Sequence, residues 1–210
     1  MNPRTPNINL AGGLNRPPKR IAATDIIVYV YTDAAAPPRG ERLAPCAAHY
    51  AQARGLIGGG FTPAVNTGGK PWFPARPEVN FSISHSGCYW LAAFHSKPLG
   101  LDIQAQRQVD HLAIAKRWYH AEEYAAVLQN GPACFFDIWS AKESRCKMNG
   151  AGINSSFPRF SVVADGAIAL RGEGYQLRQI RLFKDHSLCL CAACIGEIYI
   201  EDCRTYSGRT

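Results

Sequence analysis

The amino-acid sequence predicts an α+β fold made of two similar lobes. Strand candidates and helical patterns fall in segregated runs rather than alternating, which disfavours a doubly wound parallel sheet. One order of elements is also used twice: strand, helix, loop, strands from Ile26 to Phe94, then strand, helices, strands from Leu99 onward. No heptad or short-period repeat competes with that pattern. The expected organisation is a flexible leader over 1–20, an N-terminal lobe over 21–97 and a C-terminal lobe over 98–210. A cleft between pseudo-symmetric lobes is expected to hold the active site.

Taken in order, Met1 to Arg20 holds Asn, Pro, Arg and Gly and has no apolar run of signal-peptide length. Ile26–Tyr31 is β-branched and aromatic, hence a strand. Glu41–Arg54 reads as a helix, interrupted early by Pro45 and closed by Gly55, and Gly58–Pro77 is rich in Gly and Pro and reads as loop. Strands are expected at Val79–Ser84, Cys88–Phe94 and Leu99–Ile103, then helices at His111–His120, Ala121–Leu128 and Ala133–Met148. The last quarter returns to strands, at Arg159–Val163, Ala167–Arg171, Gln176–Phe183, Ser187–Cys194 and Glu197–Ile200.

The chain has 210 residues, 47% hydrophobic and 19% charged, enough for one sizeable core or two small lobes. Its 23 basic against 16 acidic residues give a net charge of +7, which suits an anionic partner. No nucleic-acid motif or basic stripe is present, so nucleic acid is not the expected partner. No stretch reaches the ~20 apolar residues that span a bilayer. The 8 cysteines without a secretory signal point to free thiols in a reducing, cytoplasmic compartment. Cys189, Cys191 and Cys194 lie in or beside an apolar run without a second Cys/His pair at zinc spacing, and read as buried strand thiols.

Four segments carry candidate chemistry. In Gly100-Leu101-Asp102-Ile103-Gln104, strand alternation puts Asp102 and Gln104 on one face, where two oxygen-bearing side chains can share a hard cation. In Phe135 to Lys147, Glu143 and Lys147 sit one helical turn apart and project together. Phe81 to Gly87 brings Ser84 and His85 to the tip of a hairpin, as donors for phosphate oxygens. Lys70 follows two glycines in a loop, and Arg54 ends a helix. Each segment also has a plain structural reading: a half-buried strand, a surface ion pair, a polar turn, a solvated loop lysine. A Ser-His-Asp hydrolase is disfavoured, because the Gly-x-Ser-x-Gly elbow is missing.

In their order, these segments resemble the 4'-phosphopantetheinyl transferases, in their single-chain, surfactin-type branch. The motifs stand here as Gly69-Lys70-Pro71, Phe81 to Gly87, Gly100 to Gln104, and Trp139-x-x-Lys142-Glu143-Ser144-x-x-Lys147. Arg54 to Gly58, Ile114 to Trp118 and Glu123-Tyr124 extend the likeness, which runs from about Arg54 to Ile153. The resemblance implies a Mg2+-dependent enzyme that moves the 4'-phosphopantetheine arm of coenzyme A to a serine of an acidic acyl or peptidyl carrier protein. Adenosine 3',5'-bisphosphate would leave, and the enzyme would act as a monomer. Asp102, Glu143 and Gln104 are the implied metal ligands. Arg54, Lys70, Ser84, His85, Lys142 and Lys147 are the implied coenzyme A contacts, and Glu143, Lys147 and His85 the catalytic groups. Gln104 replaces the usual second acid, and Ala151 stands where many relatives have Lys. Those departures support the alternative of a degenerate protein that binds coenzyme A or a carrier without reacting.

Overall fold

The computed structural model describes residue 14 and residues 18–154 and 156–204, so the expected leader over 1–20 lies almost wholly outside the described residues. The elements are, in order, β1 (Ile26–Thr32), α1 (Arg39–Arg54), β2 (Ala64–Val65), β3 (Pro71–Trp72), β4 (Asn80–Ser86), β5 (Tyr89–His95) and β6 (Leu99–Ala105). Then follow α2 (His111–Trp118), α3 (Ala121–Asn130), α4 (Pro132–Asn149), β7 (Val163–Ala164), β8 (Ala167–Ile168), β9 (Arg171–Gly172), β10 (Tyr175–Gln179), β11 (His186–Ala192) and β12 (Ile198–Asp202). The α+β class follows from this order. Three expectations need correction. The strand expected at Arg159–Val163 is the end of a 3-10 turn, Phe157–Arg159, followed only at Val163 by the short β7. The strand expected at Ala167–Arg171 is divided between β8, which pairs with β7, and β9, which pairs with β10. The expected loop Gly58–Pro77 contains the short β2–β3 pair.

The chain divides into two compact units, Met1–Pro98 with Cys194–Thr210, and Leu99–Ala193. The expected C-terminal lobe of 98–210 therefore loses its tail. The cause is β12, which pairs in parallel with β1 from Ile26↔Ile198 to Val30↔Asp202, burying Ile198 and Ile200.

In the first unit the strand order is β12-β1-β5-β4. Its core is aromatic: Tyr50 stacks on Phe94 at 5.6 Å between ring centroids, and Phe94 meets Phe81 at 6.0 Å. Pro45 lies inside α1 without ending it; the helix closes at Gly55, whose φ of 71° suits glycine and whose N–H caps Ala51 and Gln52 carbonyls.

In the second unit the order is β6-β11-β10-β9, and α4 packs along β6 and β11. Its core joins Phe135, Ile138 and Phe157 to Leu177, Cys189 and Cys191 of the sheet. Cys189 and Cys191 are buried free thiols on β11, whereas Cys194 follows the strand and is half-buried.

Candidate functional site

The second unit's site begins with a glycine. On β6 the residues Gly100, Asp102 and Gln104 share one face, opposite the buried Leu99, Leu101 and Ile103. A Cβ on Gly100 would lie 1.7 Å from the Ser144 carbonyl oxygen and 2.6 Å from the Met148 nitrogen. The missing side chain thus lets α4 lie directly on the strand. That contact sets the helix beside Asp102, the next residue on the same face. Pro132 starts α4, and Gly150, at φ 70°, ends it with its N–H capping the Cys146 and Lys147 carbonyls.

The result is a three-residue electrostatic cluster. Lys147 Nζ donates to Asp102 Oδ1 at 2.6 Å; Asp102 is buried and Lys147 is half-buried. Glu143, one turn earlier, is half-buried and its carboxyl is pushed up to about 7, by burial first and then by the Asp102 charge, with Lys147 opposing. Glu143 and Gln104 line a cavity of ≈ 290 Å³, whose apolar walls include Ile114, Phe135, Phe136 and Trp139 and whose rim includes Arg107.

These residues fit a hard divalent cation. Asp102 and Glu143 are carboxylates close enough to disfavour each other's charge, and Gln104 adds an amide oxygen on the Asp102 face. Among the described residues no set of three or more His, Cys, Asp or Glu is placed to hold a metal, so two carboxylates and the amide are the donors offered.

Lys142 corrects the sequence reading. The resemblance implies a coenzyme A contact at this lysine, yet its side chain is fully buried. Its Nζ donates to Glu123 Oε2 at 2.7 Å and to the Phe160 carbonyl at 2.6 Å, under the rings of Phe160 and Phe157. Glu123, missed as a partner, is equally buried and accepts the Val162 N–H on Oε1 and the His120 N–H on Oε2. The capping box that His120 and Glu123 make at the start of α3 places this acid at the helix N-terminus but does not announce the lysine it meets.

The candidates of the first unit are placed as follows. Arg54 ends α1 half-buried, with Nη1 donating to the Tyr50 hydroxyl at 3.1 Å. Lys70 is half-buried in a loop whose turn is tied by Asn66 Oδ1, which accepts the Gly68 and Lys70 N–H groups. Ser84 and His85 are neighbours on β4, which runs on to Ser86 and turns at Gly87, so they occupy opposite faces: Ser84 buried, His85 exposed.

A family model described as the 4'-phosphopantetheinyl transferase superfamily matches residues 98–192. A 4'-phosphopantetheinyl transferase of Bacillus subtilis is 35% identical over 153 residues, 68% of this chain and 68% of that protein. A second, Sfp of Bacillus subtilis strain 168, is 39% identical over 98 residues, 45% of this chain and 43% of the relative. One from Bacillus pumilus is 37% identical over 109 residues, 49% of this chain and 46% of the relative. The chain belongs to the 4'-phosphopantetheinyl transferase superfamily, in the branch of the surfactin-type enzymes, and its enzyme class is that of these transferases.

Proposed function

We propose that this protein transfers the 4'-phosphopantetheine arm of coenzyme A to a serine hydroxyl of an apo-carrier protein, in a Mg2+-dependent reaction that releases adenosine 3',5'-bisphosphate. The observation that carries the reading is the Asp102–Lys147–Glu143 cluster beside an apolar cavity. The serine oxygen forms a bond to the pantetheine-side phosphorus while the bond from that phosphorus to the bridging oxygen of the diphosphate breaks. Both electrons of the broken bond leave with the adenosine bisphosphate. Glu143 receives the serine proton, as a carboxylate that lines the cavity one helical turn from Lys147. Lys147 supplies positive charge where the transferred phosphoryl group loses its partner.

The metal would be held by Asp102 and Glu143, with Gln104 or water completing the oxygen shell, and would neutralise charge on the diphosphate. We assign Arg54 to the 3'-phosphate, and Lys70 and His85 to the remaining phosphates; Ser84, buried on the opposite face of β4 from His85, is left out of that set. A net charge of +7 suits both polyanionic coenzyme A and an acidic acyl or peptidyl carrier. The reading takes the enzyme as a monomer acting in the cytoplasm, where free thiols such as Cys189 and Cys191 stay reduced.

The test is mass spectrometry of apo-carrier proteins incubated with the enzyme, coenzyme A and Mg2+. A mass gain of one phosphopantetheine arm, abolished by chelation, is the expected result. Gln104 in the place of an acid favours the second reading, a binding protein without turnover. No gain on any carrier type, with folded protein that binds coenzyme A, selects that reading.

A further inference from the structure

Lys142 adjoins Glu143 in the chain, yet it faces away from the cavity into an enclosed ion pair. Its ammonium ties three parts of the second unit together: α4 through its own backbone, the first turn of α3 through Glu123, and the segment around Phe160 through a carbonyl. Glu123 in turn holds the Val162 and His120 N–H groups at 2.8 and 2.9 Å. Lys142 and Glu123 are both 0% exposed. A buried ion pair of this kind is a poor source of stability, since apolar side chains of similar volume often do as well, and its best-attested use is to fix the register of the elements it joins. On α4 it complements the contact at Gly100. The strand touches the helix backbone at Ser144 and Met148, and the ion pair grips the same turns from another side. A helix held at both places cannot rotate about its axis, and rotation is the motion that would swing Glu143 away from Asp102.

We propose that Lys142 is a positioning residue for the transfer reaction: its ion pair with Glu123 fixes the rotational setting of α4, and through it the approach of Glu143 to Asp102. The proposal rests on the transferase reading above for its kinetic consequence, but its geometric content stands on metal binding alone. The Lys142 ammonium is directed to Glu123 and the Phe160 carbonyl and is closed off from solvent.

Two variants test it, K142M/E123Q, which removes both charges, and E123Q, which keeps the shape of the acid. Each is checked for folding by circular dichroism. Mn2+ affinity, coenzyme A affinity by calorimetry, and kcat on an apo-carrier are then measured beside wild type. Folded variants are expected to bind coenzyme A within twofold of wild type, to bind Mn2+ at least fivefold more weakly, and to lose at least tenfold in kcat. Wild-type Mn2+ affinity and kcat in the folded variants would reduce the ion pair to glue and overturn the proposal. A tenfold loss in coenzyme A affinity with Mn2+ binding intact would overturn it too, by making Lys142 a substrate contact. If neither variant folds at low temperature, the pair serves folding and not aim, which is equally fatal. Absence of transfer by wild type sinks the reaction assigned above instead, while the Mn2+ comparison still decides the positioning claim.

Discussion

The Lys147 ammonium lies 2.6 Å from Asp102 Oδ1, so a cation of the protein's own already neutralises the buried carboxylate that we assign to the metal. The pair spans 45 positions of sequence and joins the helix α4 to the strand β6. Glu143 feels both charges, with opposite sign. A divalent cation entering this cluster therefore meets one carboxylate shared with a lysine and one whose charge burial disfavours. Binding of the metal and the setting of Lys147 are coupled by geometry.

Replacing that lysine is expected to have two opposite effects. Lys147→Met removes a positive charge beside the phosphoryl group, for a loss in turnover of order 10²-fold. It also removes the cation that repels a metal from Asp102, so Mn2+ binding to protein without coenzyme A should tighten several-fold. Mn2+ titration and steady-state kinetics on the same preparation check both. Unchanged or weaker Mn2+ binding would show that Lys147 does not compete for Asp102.

The donor set ranks the ligands. Asp102→Ala should nearly abolish turnover at any practical Mg2+ concentration, because it removes one of the two carboxylates assigned to the metal. Gln104→Ala should cost far less, and Gln104→Glu should lower the Mg2+ concentration giving half-maximal rate by adding a third acid to the shell. Equal damage from the two alanine variants would contradict this ranking.

Much of this was legible in the sequence, for reasons that differ by element. The alternation of β6 announced that Asp102 and Gln104 share a face, and helical spacing announced that Glu143 and Lys147 do. Both are local periodicities. The pairing of Lys142 with Glu123 is not legible in the sequence, because 19 positions separate the two and no local rule pairs them. A lysine adjoining Glu143 in a motif looks like a ligand contact until its burial is seen. The tail was misassigned for a similar reason: β12 returns to β1 across most of the chain, and parallel pairing leaves no turn signal between the strands. Gly100 was read only as part of a motif, although it sets the approach of α4 to the strand.

That approach yields a prediction of its own. Gly100→Ala places a methyl group 1.7 Å from the Ser144 oxygen, in helix backbone that cannot rotate out of the way. Overpacking of this kind costs about 1–3 kcal/mol, and the helix must shift to relieve it. At about 2–4 °C per kcal/mol for a chain of this size, the thermal midpoint should fall by several degrees. Turnover at temperatures where the variant stays folded should fall as well, since the shift moves Glu143 and Lys147 from Asp102. A variant that matched wild type in midpoint and rate would mean that α4 does not rest on β6 as described.

Glu143 separates the catalytic reading from the plain one most sharply. As one member of a surface ion pair it would be worth well under 1 kcal/mol, and removing its charge would leave the chemistry untouched. Its position argues otherwise: it is half-buried, faces the cavity with Gln104, and has a carboxyl raised to about 7. Gln keeps its size and hydrogen-bonding reach, and loses only the charge and the capacity to take a proton. Glu143→Gln should therefore fold normally, with a thermal midpoint at or above that of wild type, since burial disfavours the charge that is removed. Coenzyme A should bind within a few-fold of wild type. Turnover should drop by about 10²–10⁴-fold, the usual contribution of a general base, with any loss of metal affinity adding to it. Turnover, midpoint and coenzyme A affinity measured together distinguish this from a folding defect. If Glu143→Gln turned over at near the wild-type rate, neither proton transfer nor metal binding could be assigned to this residue, and the serine would need another base.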